Sequence, residues 1–168
     1  MFENLHWERY SAADRDAFRH GLKAMAAAAP QARILLRPHP AGGWADALGH
    51  ELAPFPNITT VRASDARASL GGSAELLEGI GRVITTPSTV ALDAALARRP
   101  VALAADGGDA YRPLPVLATP QDWVAFAAQP QPDLSALDQF RSRVLVAGDA
   151  APRILERLCR DLLGAIDD

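Results

Sequence analysis

Short apolar segments alternate with amphipathic helical patterns along these 168 residues, and this alternation limits the fold more than any other feature. The strand-like segments are brief and rich in apolar or β-branched residues, as is typical of strands buried on both faces of a sheet. They lie at residues 33–37, 58–61, 82–86 and 101–104, with a short edge strand at 116–117. Helical patterns separate them, at residues 11–29, 44–52, 73–79, 89–98 and 120–128. Strands joined by helices predict an α/β fold with a mostly parallel sheet.

Two helix starts carry capping signals. Ser11 is followed by Asp14, and Thr119 is followed by Pro120 and Asp122, so each start has a cap residue and an acid three positions later. Further helical patterns begin near residue 133 and run over residues 152–166. We expect one domain over residues 1–168, with its core at about 11–128 and the C-terminal helices (about 133–166) packing back on it.

Composition and charge exclude several classes of protein. The chain is 49% hydrophobic with a net charge of −3, which excludes a disordered protein. Cys159 is the only cysteine, and His6, His20 and His50 have no ligand-like spacing with one another or with acids, so neither a disulfide framework nor a metal site is expected. The arginines are scattered among acids, which argues against nucleic acid. Without a long apolar run or a secretory signal, we expect a cytoplasmic protein with at most peripheral membrane association.

The residues that follow the predicted strands are the candidates for a ligand site, because ligands of parallel sheets bind beyond the carboxyl ends of the strands. Ser88 and Thr89 come after residues 82–86 and open a helix, where free N–H groups and the helix dipole favour a phosphate. The alternative is that Ser88 only caps this helix. Arg37 and His39 come at the end of residues 33–37, and His39 could donate to a phosphate or could be purely structural.

One acid could complete this site. Asp93 lies four residues after Thr89, so both lie on one side of the same helix. It could reach ribose hydroxyls of a nucleotide whose phosphate sits at the helix start, or it could be a solvated helix charge. Neither a glycine-rich Rossmann fingerprint nor a P-loop is present, so dinucleotide and P-loop ATP binding are not supported.

Residues 33–40 (RILLRPHP) and 82–103 (RVITTPSTVALDAALARRPVAL) resemble the C-terminal, nucleotide-binding half of GT-B-type transferases. The similarity is to bacterial capsule polysaccharide biosynthesis proteins, teichoic-acid glycerophosphotransferases and bacterial sialyltransferases. Their His-Pro motif corresponds to His39-Pro40, and their Ser-Ser/Thr motif to Ser88-Thr89. The resemblance implies a three-layer Rossmann-like sandwich with a mostly parallel sheet, a single GT-B half, in which these motifs hold a CMP- or CDP-linked donor.

This chain departs from the family pattern in several places. Asp93 stands where the family commonly has Glu, and Arg98 precedes Arg99-Pro100 where a glycine is usual. A GT-B enzyme has a second, N-terminal domain that supplies the acceptor site and usually the base, and the resemblance of this chain is to the C-terminal half alone. Even the strand expected before residue 11 has to come from residues 1–7, which have a poor strand pattern. We therefore expect an excised domain, a subunit paired with a separate acceptor-binding chain, or a remnant.

The resemblance implies a donor-nucleotide-binding domain of a capsule or cell-surface polysaccharide glycosyltransferase or glycerophosphotransferase. Arg37, His39, Ser88, Thr89 and Asp93 are the expected binding residues. No base is assigned, and His39 could stabilise leaving-group charge. The nucleotide-activated donor is the substrate, and no other cofactor is expected. The alternative is a non-catalytic interaction subunit with the same fold, and a third hypothesis is another α/β enzyme such as a sugar epimerase.

Overall fold

Five short parallel strands form the centre of the protein in a computed structural model that describes residues 1–5, 8, 10–39, 44–62, 73–130 and 132–144. Their order across the sheet is β3-β2-β1-β4-β5, and every pair is parallel. The strands are β1 (Phe2–Glu3), β2 (Ile34–Pro38), β3 (Ile58–Thr60), β4 (Val83–Thr85) and β5 (Val101–Leu103). The prediction of an α/β fold with a parallel sheet is therefore confirmed.

Helices connect the strands. The α-helices of the described residues are α1 (Ala12–Ala28), α2 (Gly49–Leu52), α3 (Ser73–Glu78), α4 (Val90–Leu96), α5 (Pro120–Ala128) and α6 (Ser135–Val144). Short 3₁₀ helices cover Trp44–Leu48 and Asp109–Tyr111, so the helix predicted at 44–52 divides into a 3₁₀ turn and α2. The predicted edge strand is a single parallel bridge between Leu103 and Val116. The helix predicted at 152–166, with Cys159, lies outside the described residues.

The strand with the weakest sequence pattern is the central one. β1 is only two residues long, but it is hydrogen-bonded on both sides. Arg37 of β2 donates its N–H to the Met1 carbonyl at 2.8 Å, and Thr86, just after β4, donates to the Phe2 carbonyl at 3.2 Å. Its strand conformation depends on these two neighbours, which explains why residues 1–7 alone have so little strand character.

Alternating side chains divide the core into two clusters on opposite faces of the sheet. Ile84 and Ala102 belong to a cluster with α1 and α5, in which Phe18 and Trp123 meet edge to face at 5.3 Å. The next residues back along their strands, Val83 and Val101, belong to a cluster with α3, α4 and α6. Helices therefore cover both faces, and α6 packs back on α4.

Both predicted capping boxes are present. The Ser11 hydroxyl accepts from the Asp14 N–H at 3.2 Å, and the Asp14 carboxylate accepts from the Ser11 N–H at 2.8 Å. Thr119 and Asp122 repeat this arrangement at the start of α5. These hydrogen bonds, first the one from the Thr119 backbone, hold the pKa of Asp122 below its usual value. Within the described parts of the chain, no helix has the length and apolar character needed to span a membrane.

Candidate functional site

The carboxyl ends of β2, β1 and β4 lie side by side at one edge of the sheet. Phe2 is in register with Arg37 of β2 and with Thr85 of β4. The chain therefore leaves these three strands at the same level, toward His39, Asn4 and Ser88. Neighbouring strands are about 4.8 Å apart, so β2 and β4 are separated by about 10 Å with β1 between them. The predicted site residues Arg37 and His39 therefore lie on the β2 side of this edge, and Ser88 and Thr89 lie on the β4 side.

Asn4 and Thr86 join the ends of β1 and β4. The Asn4 N–H donates to Thr86 Oγ1 at 3.2 Å, and the Thr86 hydroxyl donates to Asn4 Oδ1. Their exposures are only 8% and 1%. Buried polar side chains need such partners, so the pair fixes the two strand ends relative to each other. Neither residue was predicted as part of the site, although two threonines at the end of an apolar strand are a usable signal.

Ser88 is held by a chain of hydroxyl groups. Its Oγ lies 3.1 Å from Thr85 Oγ1, and Thr85 Oγ1 donates to the Thr86 carbonyl at 2.8 Å. Because the single Thr85 proton is used in that bond, Ser88 is the donor toward Thr85. The Ser88 proton therefore points into the protein, and its oxygen lone pairs remain for a donor. The expectation that Ser88 caps the following helix is not met.

The first turn of α4 is uncapped by side chains. Thr89 stands at the N-cap with helical backbone angles, makes no capping hydrogen bond and is exposed. The backbone N–H groups of Ser88, Thr89 and Val90 have no acceptor among the residues that the structure describes. The Ser88 and Thr89 carbonyls accept from Ala91 and Leu92 at 3.1 and 2.9 Å. Three N–H groups and the Thr89 hydroxyl are thus available to an anion.

Asp93 lies one turn into α4, where its N–H donates to the Thr89 carbonyl at 3.1 Å. Its side chain is half-buried, next to the fully buried Ala94. The carboxylate has no ion pair in the described part of the chain. Thr89 and Asp93 are therefore one helical turn apart, at the start of α4.

Arg37 and His39 flank the other side of the edge. The Arg37 guanidinium carbon lies 5.8 Å from the centre of the Phe2 ring, within reach of a cation–π interaction. Arg37 lies within β2, because this strand continues through Pro38. His39 follows directly and is half-buried, while Pro40 lies outside the described residues.

The loop after β5 closes in from the opposite direction. A Cβ on Gly107 would lie 2.4 Å from Tyr111 Cδ2 and 3.1 Å from Pro87 Cβ, so this loop approaches Pro87 as closely as a glycine allows. Asp106 accepts from the Gly108 N–H at 2.8 Å and stabilises the turn. The loop therefore contributes a wall beside Ser88.

The described residues contain no group of three or more His, Cys, Asp or Glu side chains arranged to hold a metal ion. The polar groups at this edge are instead hydroxyls, backbone N–H groups, one imidazole, one guanidinium and one carboxylate. This set suits an anionic ligand that also carries hydroxyl groups. Comparison with family models, curated proteins and solved structures found no significant match to this chain.

Proposed function

We propose that this chain is the donor-nucleotide-binding domain of a glycosyltransferase or glycerophosphotransferase of capsule or cell-surface polysaccharide synthesis. In this proposal the sheet and its two helical layers are a three-layer Rossmann-like sandwich, the fold of one GT-B half. The ligand is a CMP- or CDP-linked donor, as the resemblance of residues 33–40 and 82–103 implies. We also propose that the protein is cytoplasmic.

One observation carries the proposal: the strand order reverses between β1 and β4, and that reversal coincides with the polar edge. From β1 the chain proceeds to β2 and β3 on one side, then to β4 and β5 on the other. Ligands of open parallel sheets bind at such a switch point, beyond the carboxyl ends of the strands. Asn4 and Ser88 flank the reversal, and it is followed by three N–H groups that have no acceptor among the described residues.

Different residues would bind different parts of the ligand. The N–H groups of Ser88, Thr89 and Val90 and the Thr89 hydroxyl would bind the phosphate. From the β2 side, His39 would add a donor and Arg37 would add positive charge. Asp93 would accept from ribose hydroxyls. Ser88 would contribute through its backbone, because its hydroxyl proton is directed to Thr85.

Donor binding is only part of a transfer reaction. The departing nucleotide gains negative charge on its phosphate in the transition state, and preorganised donors at the phosphate stabilise that charge. We assign no base, and we propose that an acceptor site comes from another domain or chain. We therefore expect little transferase activity from these 168 residues alone.

Calorimetric titration with CMP, CDP and UDP tests the proposal. Wild type should bind CMP or CDP with a dissociation constant at or below the millimolar range. Thr89→Ala and His39→Ala should each weaken binding about tenfold, the loss of one charge-assisted hydrogen bond. Ser88→Ala should weaken it less, because the backbone N–H remains.

Two variants serve as matched controls. His20 on α1 and Ser142 on α6 are outside the strand edge, so His20→Ala and Ser142→Ala should titrate like wild type. No heat of binding from wild type at millimolar nucleotide would overturn the proposal and favour the non-catalytic interaction subunit. Thr89→Ala and His39→Ala proteins that bind as well as these two controls would indicate a site elsewhere on the protein.

A further inference from the structure

A groove of about 730 Å³ runs along the β5 edge of the sheet, away from the β1–β4 reversal. Its floor includes Val101 and Val116, and its walls come from α5 and the start of α6. Four prolines line it, at positions 100, 113, 115 and 132, together with Phe126 and several alanines. The surface is therefore mostly apolar and rigid.

Val116 gives this groove an unpaired stretch of backbone. Leu103 of β5 donates to the Pro115 carbonyl at 2.8 Å and accepts from the Leu117 N–H at 2.8 Å. In such a bridge the N–H and C=O of the middle residue point away from the partner strand. Those of Val116 have no partner in the described part of the chain, and the side chain is 39% exposed. One donor and one acceptor are thus available to a further strand.

Among the residues that the structure describes, two carboxylates are the only charged groups that line the groove. Asp122 lies on the α5 side and Asp133 just before α6. Hydrogen bonds from Thr119 and Ser135 hold the pKa of each carboxyl below its usual value, so both are ionised at neutral pH. The Arg82 guanidinium carbon lies 6.0 Å from the centre of the Phe126 ring, and the side chain donates to the carbonyls of Ala127 and Gln129. Arg82 does not line the groove.

We propose that the groove binds an extended polypeptide segment that pairs with the backbone of Val116, fills the trough with apolar side chains and places an Arg or Lys beside Asp122 and Asp133. Addition of a strand to an open sheet edge supplies backbone hydrogen bonds, and side-chain pockets supply the specificity. Because prolines stand at 113 and 115 and cannot donate, pairing is centred on one residue and the register is fixed.

Charge complementarity selects this occupant over others. Edge-to-edge pairing of two copies would bring both carboxylate pairs into the same interface, where like charges are costly. Nucleic acid phosphates would meet the same repulsion. A basic and apolar segment satisfies both the apolar trough and its acidic rim, and it is independent of the nucleotide site.

The probe is a library of random octapeptides displayed on phage, selected on the wild-type chain after depletion on the Ala125→Arg variant. Ala125 is an exposed residue of α5 that lines the groove, so an arginine there blocks the trough and neutralises its rim. The enriched peptides should carry Arg or Lys next to alternating apolar residues. A synthetic enriched peptide should bind Ala125→Arg at least tenfold more weakly than wild type in fluorescence polarisation.

Further variants separate the contributions. Asp133→Asn keeps one of the two acceptors for Ser135 but removes the charge, and it should weaken binding severalfold in a salt-dependent way. Val116→Pro should abolish the backbone pairing, whereas Val116→Ala keeps the N–H and should retain most of the affinity. Ala27→Arg, on the exposed end of α1, controls for the added charge and should bind like wild type.

Three results would overturn the proposal. The first is that no peptide sequence is enriched on wild type over the Ala125→Arg protein, and the second is that the enriched peptides lack a basic residue. The third is a wild-type dimer in sedimentation that Ala125→Arg converts to a monomer, which would make a second copy the occupant. Thermal unfolding of each variant confirms that a loss of binding is not a loss of the fold.

Discussion

Asn4 and Thr86 exchange two hydrogen bonds across the ends of β1 and β4, although they are 82 positions apart in sequence. Both are buried, and they mark the point where the strand order reverses. The pair fixes the ends of the two strands relative to each other. Ser88 follows the end of β4 and begins the turn into α4. The geometry of the candidate site therefore depends on a contact that does not itself face the ligand.

Thr86→Val keeps the shape of the side chain but removes its hydroxyl, so the side-chain oxygen and the backbone N–H of the buried Asn4 lose their partner. This should lower the free energy of unfolding by about 1–3 kcal/mol. Urea denaturation followed by circular dichroism measures the change. Thr86→Ser retains the hydroxyl and should lose clearly less. Equal stability of the valine variant and wild type would show that the pair contributes nothing to the fold.

Local signals were sufficient for the helices. Ser11 with Asp14 and Thr119 with Asp122 each place an acceptor and an acid at the spacing that a capping box requires, and both boxes are present. The four longer strands were also predicted, because they are rich in apolar and β-branched residues, although only β4 and β5 are buried throughout. The resulting sheet order could not be predicted, since it depends on pairing between distant segments.

The strand expected within residues 1–7 is present as β1, but its weak sequence pattern and the unpredicted Asn4–Thr86 pair have the same physical reason. A two-residue strand has too little sequence to show a period, and its conformation comes from the strands on either side. The five predicted site residues do fall near one edge, because parallel strands end together. Only a view of the hydroxyl chain from Ser88 to Thr85 shows that the Ser88 proton is directed inward.

Arg98→Gly should stabilise the protein by about 1 kcal/mol, because Arg98 has a φ of +52° in the left-handed region at the end of α4. Arg98 and Arg99 donate their N–H groups to Ala95 and Ala94 at 3.2 and 2.8 Å, so the backbone conformation is part of the helix stop. The exposed ion pair with Asp138 at 3.4 Å contributes little.

Thermal unfolding checks this prediction, with an expected rise of about 3 °C in Tm. Arg98→Ala is the matched control, because it removes the same ion pair but keeps a Cβ in the left-handed conformation. It should be no more stable than wild type. If the alanine and glycine variants had the same Tm, backbone strain at residue 98 would not contribute significantly to the stability of the protein.

Gly21→Ala should destabilise the protein by about 1–3 kcal/mol through overpacking. A Cβ at residue 21 would lie 2.4 Å from Trp123 Cε2, and Trp123 is 1% exposed with its indole N–H donating to the Leu117 carbonyl at 3.2 Å. The indole therefore cannot move without losing that hydrogen bond. Urea denaturation with Trp fluorescence follows both the stability and the indole environment.

The same substitution at Gly49 is the internal control for helix propensity. A Cβ there meets nothing within 4 Å, and the residue lies in α2, so Gly49→Ala should be neutral or slightly stabilising. A destabilisation at residue 49 equal to that at residue 21 would contradict the packing explanation.

Glu51→Gln should flatten the acid limb of the stability profile, because Glu51 connects α2 to α1. Its carboxylate accepts from Lys23 and, at 3.1 Å, from Arg19. The hydrogen bond from Lys23 is the largest cause that holds the Glu51 pKa below its ordinary value of 4.5. A carboxyl with a lowered folded pKa stabilises the protein above its unfolded pKa, and that contribution is lost as the pH falls through the folded value.

Urea denaturation at intervals from pH 7 to pH 3 should therefore show wild type losing more stability below about pH 4.5 than Glu51→Gln. Lys23→Met removes the main partner and should flatten the same limb, so identical acid limbs in all three proteins would refute the role of this ion pair.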